Sequence, residues 1–127
     1  MTPRMVRGFV EALMQNGQYG RRDHRARVHH MIGRLFLLEG DIYNAVAAWD
    51  RSFEASPGPE VVTYQIDALA KAERYQEALA YVAIAKRANE ARPVGAWLYR
   101  DYLDNWERAI MDRLLQPAGT VPPEATG

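Results

Sequence analysis

Apolar residues recur at intervals of three and four along most of the chain, the spacing that gathers them on one face of an α-helix. Val6, Phe9, Val10 and Leu13 form a first stripe and predict a helix from about Pro3 to Asn16. Gly17, Gly20 and the polar run Arg21-Arg22-Asp23 interrupt it, with Asp23 placed to cap the next helix. That helix, from about His24 to Leu38, carries Val28, Ile32, Leu35 and Phe36 on one face, and Gly33 leaves room for a neighbour to approach. Gly40 ends it, because glycine accepts the positive φ of a helix C′ position. Asp41 caps the following helix, whose inward stripe is Ile42, Ala45, Val46, Trp49 and Phe53. Pro57-Gly58-Pro59 closes it and opens another, since proline is tolerated in a first helical turn.

The same pattern then returns. Val62, Ile66 and Leu69 carry one helix and Tyr75, Ala78, Leu79, Val82 and Ala85 the next, over about Pro59 to Asn89. Glu73 to Leu79 aligns with Gly40 to Val46, so that Ala78 stands one repeat length after Ala45. Ile66 replaces the small glycine, which predicts that this pair is pushed apart or rotated. Glu73-Arg74 replaces Gly40-Asp41. A third echo, Asp104 to Ile110, places Ala109 slightly less than one repeat length after Ala78. Its first helix, after Pro93, is expected to be short and to bear Trp97, Leu98 and Tyr102. Its last helix is expected to turn Trp106, Ile110 and Leu114 inward and Arg108 and Asp112 outward.

In the first unit Ile32-Gly33, Phe36, Gly40, Ala45, Trp49, Ser52 and Pro57 fall at the spacing of a tetratricopeptide repeat, which the segment from Ala26 to Pro57 closely resembles. That family stacks helix-turn-helix units of about 34 residues. The resemblance implies an all-α fold: a short right-handed α-solenoid of antiparallel helix pairs, about seven helices in all. Residues 1–22 would form an N-terminal packing helix and loop. Residues 23–115 would form the repeat domain, in units of about 26–57, 59–89 and 93–115, and 116–127 a disordered tail. Ala45, Ala78 and Ala109 would sit at close helix crossings. The first helix of each pair would line a concave groove, presenting Arg27, His30, Arg34 and Leu37 from one unit and Thr63, Asp67, Ala70 and Lys71 from the next.

Composition narrows the chemistry. The 127 residues suffice for one domain with a real core. Sixteen basic and sixteen acidic side chains cancel, which argues against a general nucleic-acid binder. No cysteine is present, so disulfides, thiol catalysis and thiolate metal sites are excluded. No apolar run approaches the roughly 20 residues that span a bilayer, so direct membrane insertion is not expected. The N-terminus lacks the continuous apolar stretch and cleavage site of a signal peptide.

Four clusters invite a chemical reading. His29 and His30 are adjacent, and adjacent helical side chains diverge by about 100°, so they do not chelate one ion as an i, i+4 pair would. His29 is expected in a partly buried aromatic slot and His30 in the groove. Asp101, Asp104 and Glu107 form an acidic row that reads as a solvated face between Arg100 and Arg108, since acid–base work needs burial that separates the pKa values. Arg21, Arg22, Arg25, Arg27 and Arg34 concentrate positive charge, and the planar guanidinium suits carboxylate or phosphate. The reading of a helix face balanced by acids stands beside that of a groove rim selecting an acidic peptide. Trp97, Tyr102 and Trp106 fall at helical spacing and are expected as terminal core packing, with Tyr99 pointing elsewhere. Neither Ser52 nor Ser56 lies in a G-x-S-x-G elbow, and no P-loop or G-x-G-x-x-G occurs.

These readings converge on a scaffold rather than an enzyme, with no cofactor or metal. It would bind a protein or peptide, an acidic one if the arginines are used, in its groove, with Leu37 and Ala70 as the apolar floor. Two alternatives come from other classes. The run Arg92-Pro93-Val94-Gly95-Ala96-Trp97 through Ile110, after two repeat units, is similar to the soluble C-terminal region of bacterial membrane glycan polymerases and protein-glycosylation ligases. That resemblance implies a periplasmic accessory domain, whereas a free-standing protein would be cytoplasmic. The third option is a homo-oligomerisation module in which the opening helix fills a neighbour's groove.

Overall fold

A computed structural model describes residues 2–15, 21–92 and 94–116, and the described residues form six α-helices and no strand. They are α1 (Pro3–Gln15), α2 (Arg22–Leu38), α3 (Ile42–Ala55), α4 (Pro59–Lys71), α5 (Tyr75–Glu90) and α6 (Trp97–Leu115). Each helix packs mainly against its neighbours in sequence, so the molecule is a helical solenoid with α1 and α6 as its outer helices. All of the expected tail, 116–127, except Gln116 lies outside the described residues, as do the breaks at Gly17 and Gly20.

Local signals set the helix limits. Gly40 has φ +80°, and the turn it makes carries the hydrogen bonds Gly40 N–H to Leu37 O and Asp41 N–H to Phe36 O, each 2.9 Å. These satisfy the last carbonyls of α2, as a left-handed C′ residue does. Asp41 then caps α3, its Oδ1 accepting from the Asn44 N–H at 3.0 Å. The following unit makes the same turn without glycine: Glu73 takes φ +62°, with Glu73 N–H to Ala70 O and Arg74 N–H to Leu69 O at 3.0 and 2.9 Å. Asp23 does not cap α2 as expected. The helix begins two residues earlier than expected, at Arg22, and places that carboxylate in its first turn, where the helix dipole favours an anion.

The core shows how one design is built twice with different volumes. In the first unit a Cβ on Gly33 would lie 2.5 Å from Trp49 Nε1, and Trp49 is completely buried. In the second, Ile66 and Val82 occupy the corresponding positions and are likewise fully buried in one cluster with Val62, Leu69, Ala78 and Leu103. The bulk moves from one helix to the other, so isoleucine needs no enlarged gap once tryptophan has become valine. Polar ties reinforce the stack between units. Gln65 Nε2 donates to Val46 O and to Asp50 Oδ1 at 3.0 and 2.8 Å, and the Tyr81 hydroxyl donates to the same carboxylate at 3.0 Å. That network joins α3, α4 and α5 through one carboxylate. Burial, then Asp50, raises the Tyr81 phenol above its ordinary range, so it stays a donor.

The third unit departs from expectation. Trp97 to Leu115 is one continuous helix, because nothing between those residues is a glycine or proline that would end a helix. Six helices therefore stand among the described residues against the expected seven or so. Leu103 and Ile110 are its buried residues, and Trp106 packs partly against the core. Ala109 is exposed rather than at a crossing, and Leu114 is also exposed. Trp97 is 70% exposed and Tyr102 is exposed too, while Tyr99 is the half-buried aromatic that packs on the core. The terminal-core reading of Trp97 and Tyr102 is thus overturned. At the other end Val10 packs inward against Val28 and Ile32, but Phe9 is 64% exposed, against its expected inward place.

Candidate functional site

A concavity of about 450 Å³ opens between the N-terminal halves of α2 and α4, with Ser52 and Ser56 also lining it. Its aromatic wall follows from the packing beneath it. Because Gly33 has no side chain, Trp49 lies against α2 and donates its Nε1–H to the His30 carbonyl at 3.2 Å. The His30 ring stands edge-on to Tyr64 with centroids 4.6 Å apart, and Tyr64 is 5.8 Å from Trp49. His30 and Tyr64 so form an aromatic wall from α2 and α4, with the buried Trp49 ring of α3 packed behind it. Burial, then the charge of Arg34, lowers the His30 pKa below its ordinary value, and the ring is neutral at pH 7. Its Nδ1 is buried without a hydrogen-bond partner among the described residues.

Charge surrounds the wall. Arg27 and Asp23 line the cavity from α2 and Glu60 from α4, with Val61 as an apolar contribution. Glu60 is held by Arg92, which reaches it from beyond α5. The Thr63 hydroxyl donates to the Glu60 carbonyl at 2.6 Å. Ser52 is spoken for as well: its hydroxyl donates to Ala26 O at 2.7 Å, tying α3 to α2.

Of the eight residues expected on the groove, Arg27 and His30 line this cavity. Arg34 and Leu37 are exposed farther along α2. Thr63 is half-buried on α4, Ala70 packs partly against the main core, and Asp67 pairs with Lys71 on the same helix at 3.0 Å. Tyr64 and Glu60 were missed. For Glu60 the signal was available, because the repeat offset that carries His30 onto Thr63 also carries Arg27 onto Glu60. For Tyr64 it was weaker, since one helical step separates it from Thr63.

The other clusters resolve individually. His29 points away from His30, into a separate cavity of about 280 Å³ with Arg25, Arg51 and Glu54, and burial followed by the two arginines lowers its pKa. The five arginines disperse around α2: Arg22 donates to Ala55 O at 3.1 Å, Arg25 lies beside His29 and Arg27 lies in the groove. In the acidic row Asp104 and Glu107 both bind Lys86 Nζ, at 2.9 and 3.1 Å, while Asp101 is exposed. Among the described residues no three His, Asp or Glu side chains converge as a metal site, and no helix is long and apolar enough to cross a membrane.

Comparison of the chain with protein-family models, with curated proteins and with solved structures found no match.

Proposed function

We propose that this protein is a non-catalytic scaffold that holds a peptide or protein segment in the α2–α4 groove. The observation that carries the reading is the aromatic wall of half-buried His30 and exposed Tyr64, backed by buried Trp49 and bordered by the Arg27 guanidinium. A rigid aromatic surface supplies contact area at low entropic cost, and a charged rim selects the register of the bound segment. The chemistry fits a segment with an apolar or aromatic anchor against Tyr64 and an acidic flank toward Arg27 and Arg34. Glu60, already neutralised by Arg92, opposes such a flank little. The repeated pairs, the Gly33–Trp49 contact and the shared turn geometry at Gly40 and Glu73 support a tetratricopeptide-like construction for this scaffold.

The test begins with selection of peptides from a random display library against the purified chain. Binding of a selected peptide is then measured by fluorescence anisotropy. Tyr64→Ala and Arg27→Glu are each expected to weaken it tenfold or more, with far-UV circular dichroism unchanged. A selected peptide that binds both variants as well as the parent would remove the groove from consideration.

A further inference from the structure

Both outer helices of the solenoid are apolar on two faces. On α1, Val6 and Val10 are partly buried, while Met5, Gly8, Phe9 and Ala12 are exposed at i, i+3, i+4 and i+7, one continuous stripe. On α6, Leu103 and Ile110 face inward, while Leu98, Tyr102 and Ala109 are exposed along another side, a row interrupted by Asn105, whose Oδ1 accepts from Arg108; Trp97 is also exposed. A helix with apolar residues on two faces is built to be packed on two faces, and a solenoid that ends in solution carries a polar outer surface instead. Leu98 is 58% exposed and Phe9 64%, too open for the packing within one copy to account for them.

The two outer helices also differ in the sign of their charge. α1 carries Arg4 and Arg7 against Glu11, while α6 carries Asp101, Asp104, Glu107 and Asp112 against Arg100, Arg108 and Arg113. On the exposed side of α6, Asp101 and Asp112 make no hydrogen bond or ion pair among the described residues, whereas α1 presents Arg4. Two like ends would bring the same charge together; an α1 end against an α6 end joins opposite charges around two apolar stripes.

We infer that a second copy of this chain is the occupant, and that copies associate head to tail, the α1 stripe of one seating on the α6 stripe of the next. Such a contact is heterologous: each copy uses both faces, so association extends beyond the dimer. The inference is independent of the groove, since Phe9 and Leu98 do not line it.

Sedimentation velocity across a wide concentration range tests it, with Phe9→Glu and Leu98→Glu as variants and circular dichroism as the check on folding. The parent chain is expected to grow past the mass of a dimer with rising concentration, and to shrink again in high salt. Each variant alone is expected to stay near 14.4 kDa. Mixed in equal amounts, the two are expected to form a dimer and stop there, because one intact α1 face meets one intact α6 face. A parent chain that stays monomeric at every concentration overturns the inference. Self-association that survives Phe9→Glu, or a mixture that yields no dimer, does the same.

Discussion

Gly33 is the residue on which the first helix pair turns. Its missing side chain is filled by Trp49, whose ring is fully buried and whose Nε1–H is committed to the His30 carbonyl. An added methyl would meet three atoms of that ring at 2.5 to 2.7 Å, and the ring has no solvent to retreat into. Alanine is about 1 kcal/mol better than glycine inside a helix. Overpacking costs about 1–3 kcal/mol, and a strained Trp49 also loosens its hydrogen bond of about 1 kcal/mol. Gly33→Ala is therefore expected to destabilise the protein by about 1–2 kcal/mol net, measured by urea unfolding. The second unit suggests the rescue. Gly33→Ile with Trp49→Val copies the Ile66 and Val82 arrangement, and the pair should cost much less than the sum of its single changes. A Gly33→Ala protein as stable as the parent would show that the two helices are free to separate.

At the scale of elements, the two inter-helix turns are the same object made from different residues. Gly40 and Glu73 share a positive φ and the same pair of backbone hydrogen bonds, yet only one of them is a glycine. A side chain in the left-handed region costs about 1–2 kcal/mol, partly offset by the greater freedom glycine loses on folding. Glu73→Gly is accordingly expected to stabilise by about 0.5–1 kcal/mol, read as a raised urea midpoint with unchanged slope. A lower midpoint would mean that the Glu73 side chain makes a contact worth more than the strain. The repeat length that pairs these turns was legible in the chain, as were the limits of α3 and the start of α4, because Gly40, Asp41, Pro57 and Pro59 are punctuation with a mechanism. The limits of α6 were not, since an echo of the repeat suggested a break that no residue in the segment enforces. Nor were the exposed places of Phe9, Trp97 and Tyr102. Periodicity locates an apolar face, but in an outer helix apolar residues lie on two sides and the pattern does not say which is covered within the chain. Two of the cavity's lining residues, Arg27 and His30, were legible in the same way, whereas Tyr64 lies one helical step past the expected Thr63.

For the whole molecule, the two half-buried histidines set how stability responds to mild acid. His30 faces Trp49, Tyr64 and Arg34, and His29 faces Arg25, Arg51 and Glu54. Burial is the leading cause of the lowered pKa for both, and the neighbouring arginines add to it, with Glu54 alone opposing. An unfolded chain takes up a proton at each ring near the ordinary value of 6.5, while the folded chain resists until the pH is lower. Between those two points the unfolded state binds more protons, and linkage makes stability fall as the pH falls. The contribution is complete above about 6.5 and is lost progressively through the folded pKa values. Glu39 and Asp41, whose carboxyls are lowered by Arg7 and by Asn44 respectively, respond only at more acid pH, so the two effects separate. The urea midpoint is thus expected to be level from pH 8 to about 7 and to decline toward about 5.5, with a flatter decline in a His29→Gln, His30→Gln variant. A parent midpoint that does not move over that interval would mean that both rings reach solvent when protonated. In that event the wall of the groove opens readily, and the rigid surface proposed for a bound peptide would be lost with it.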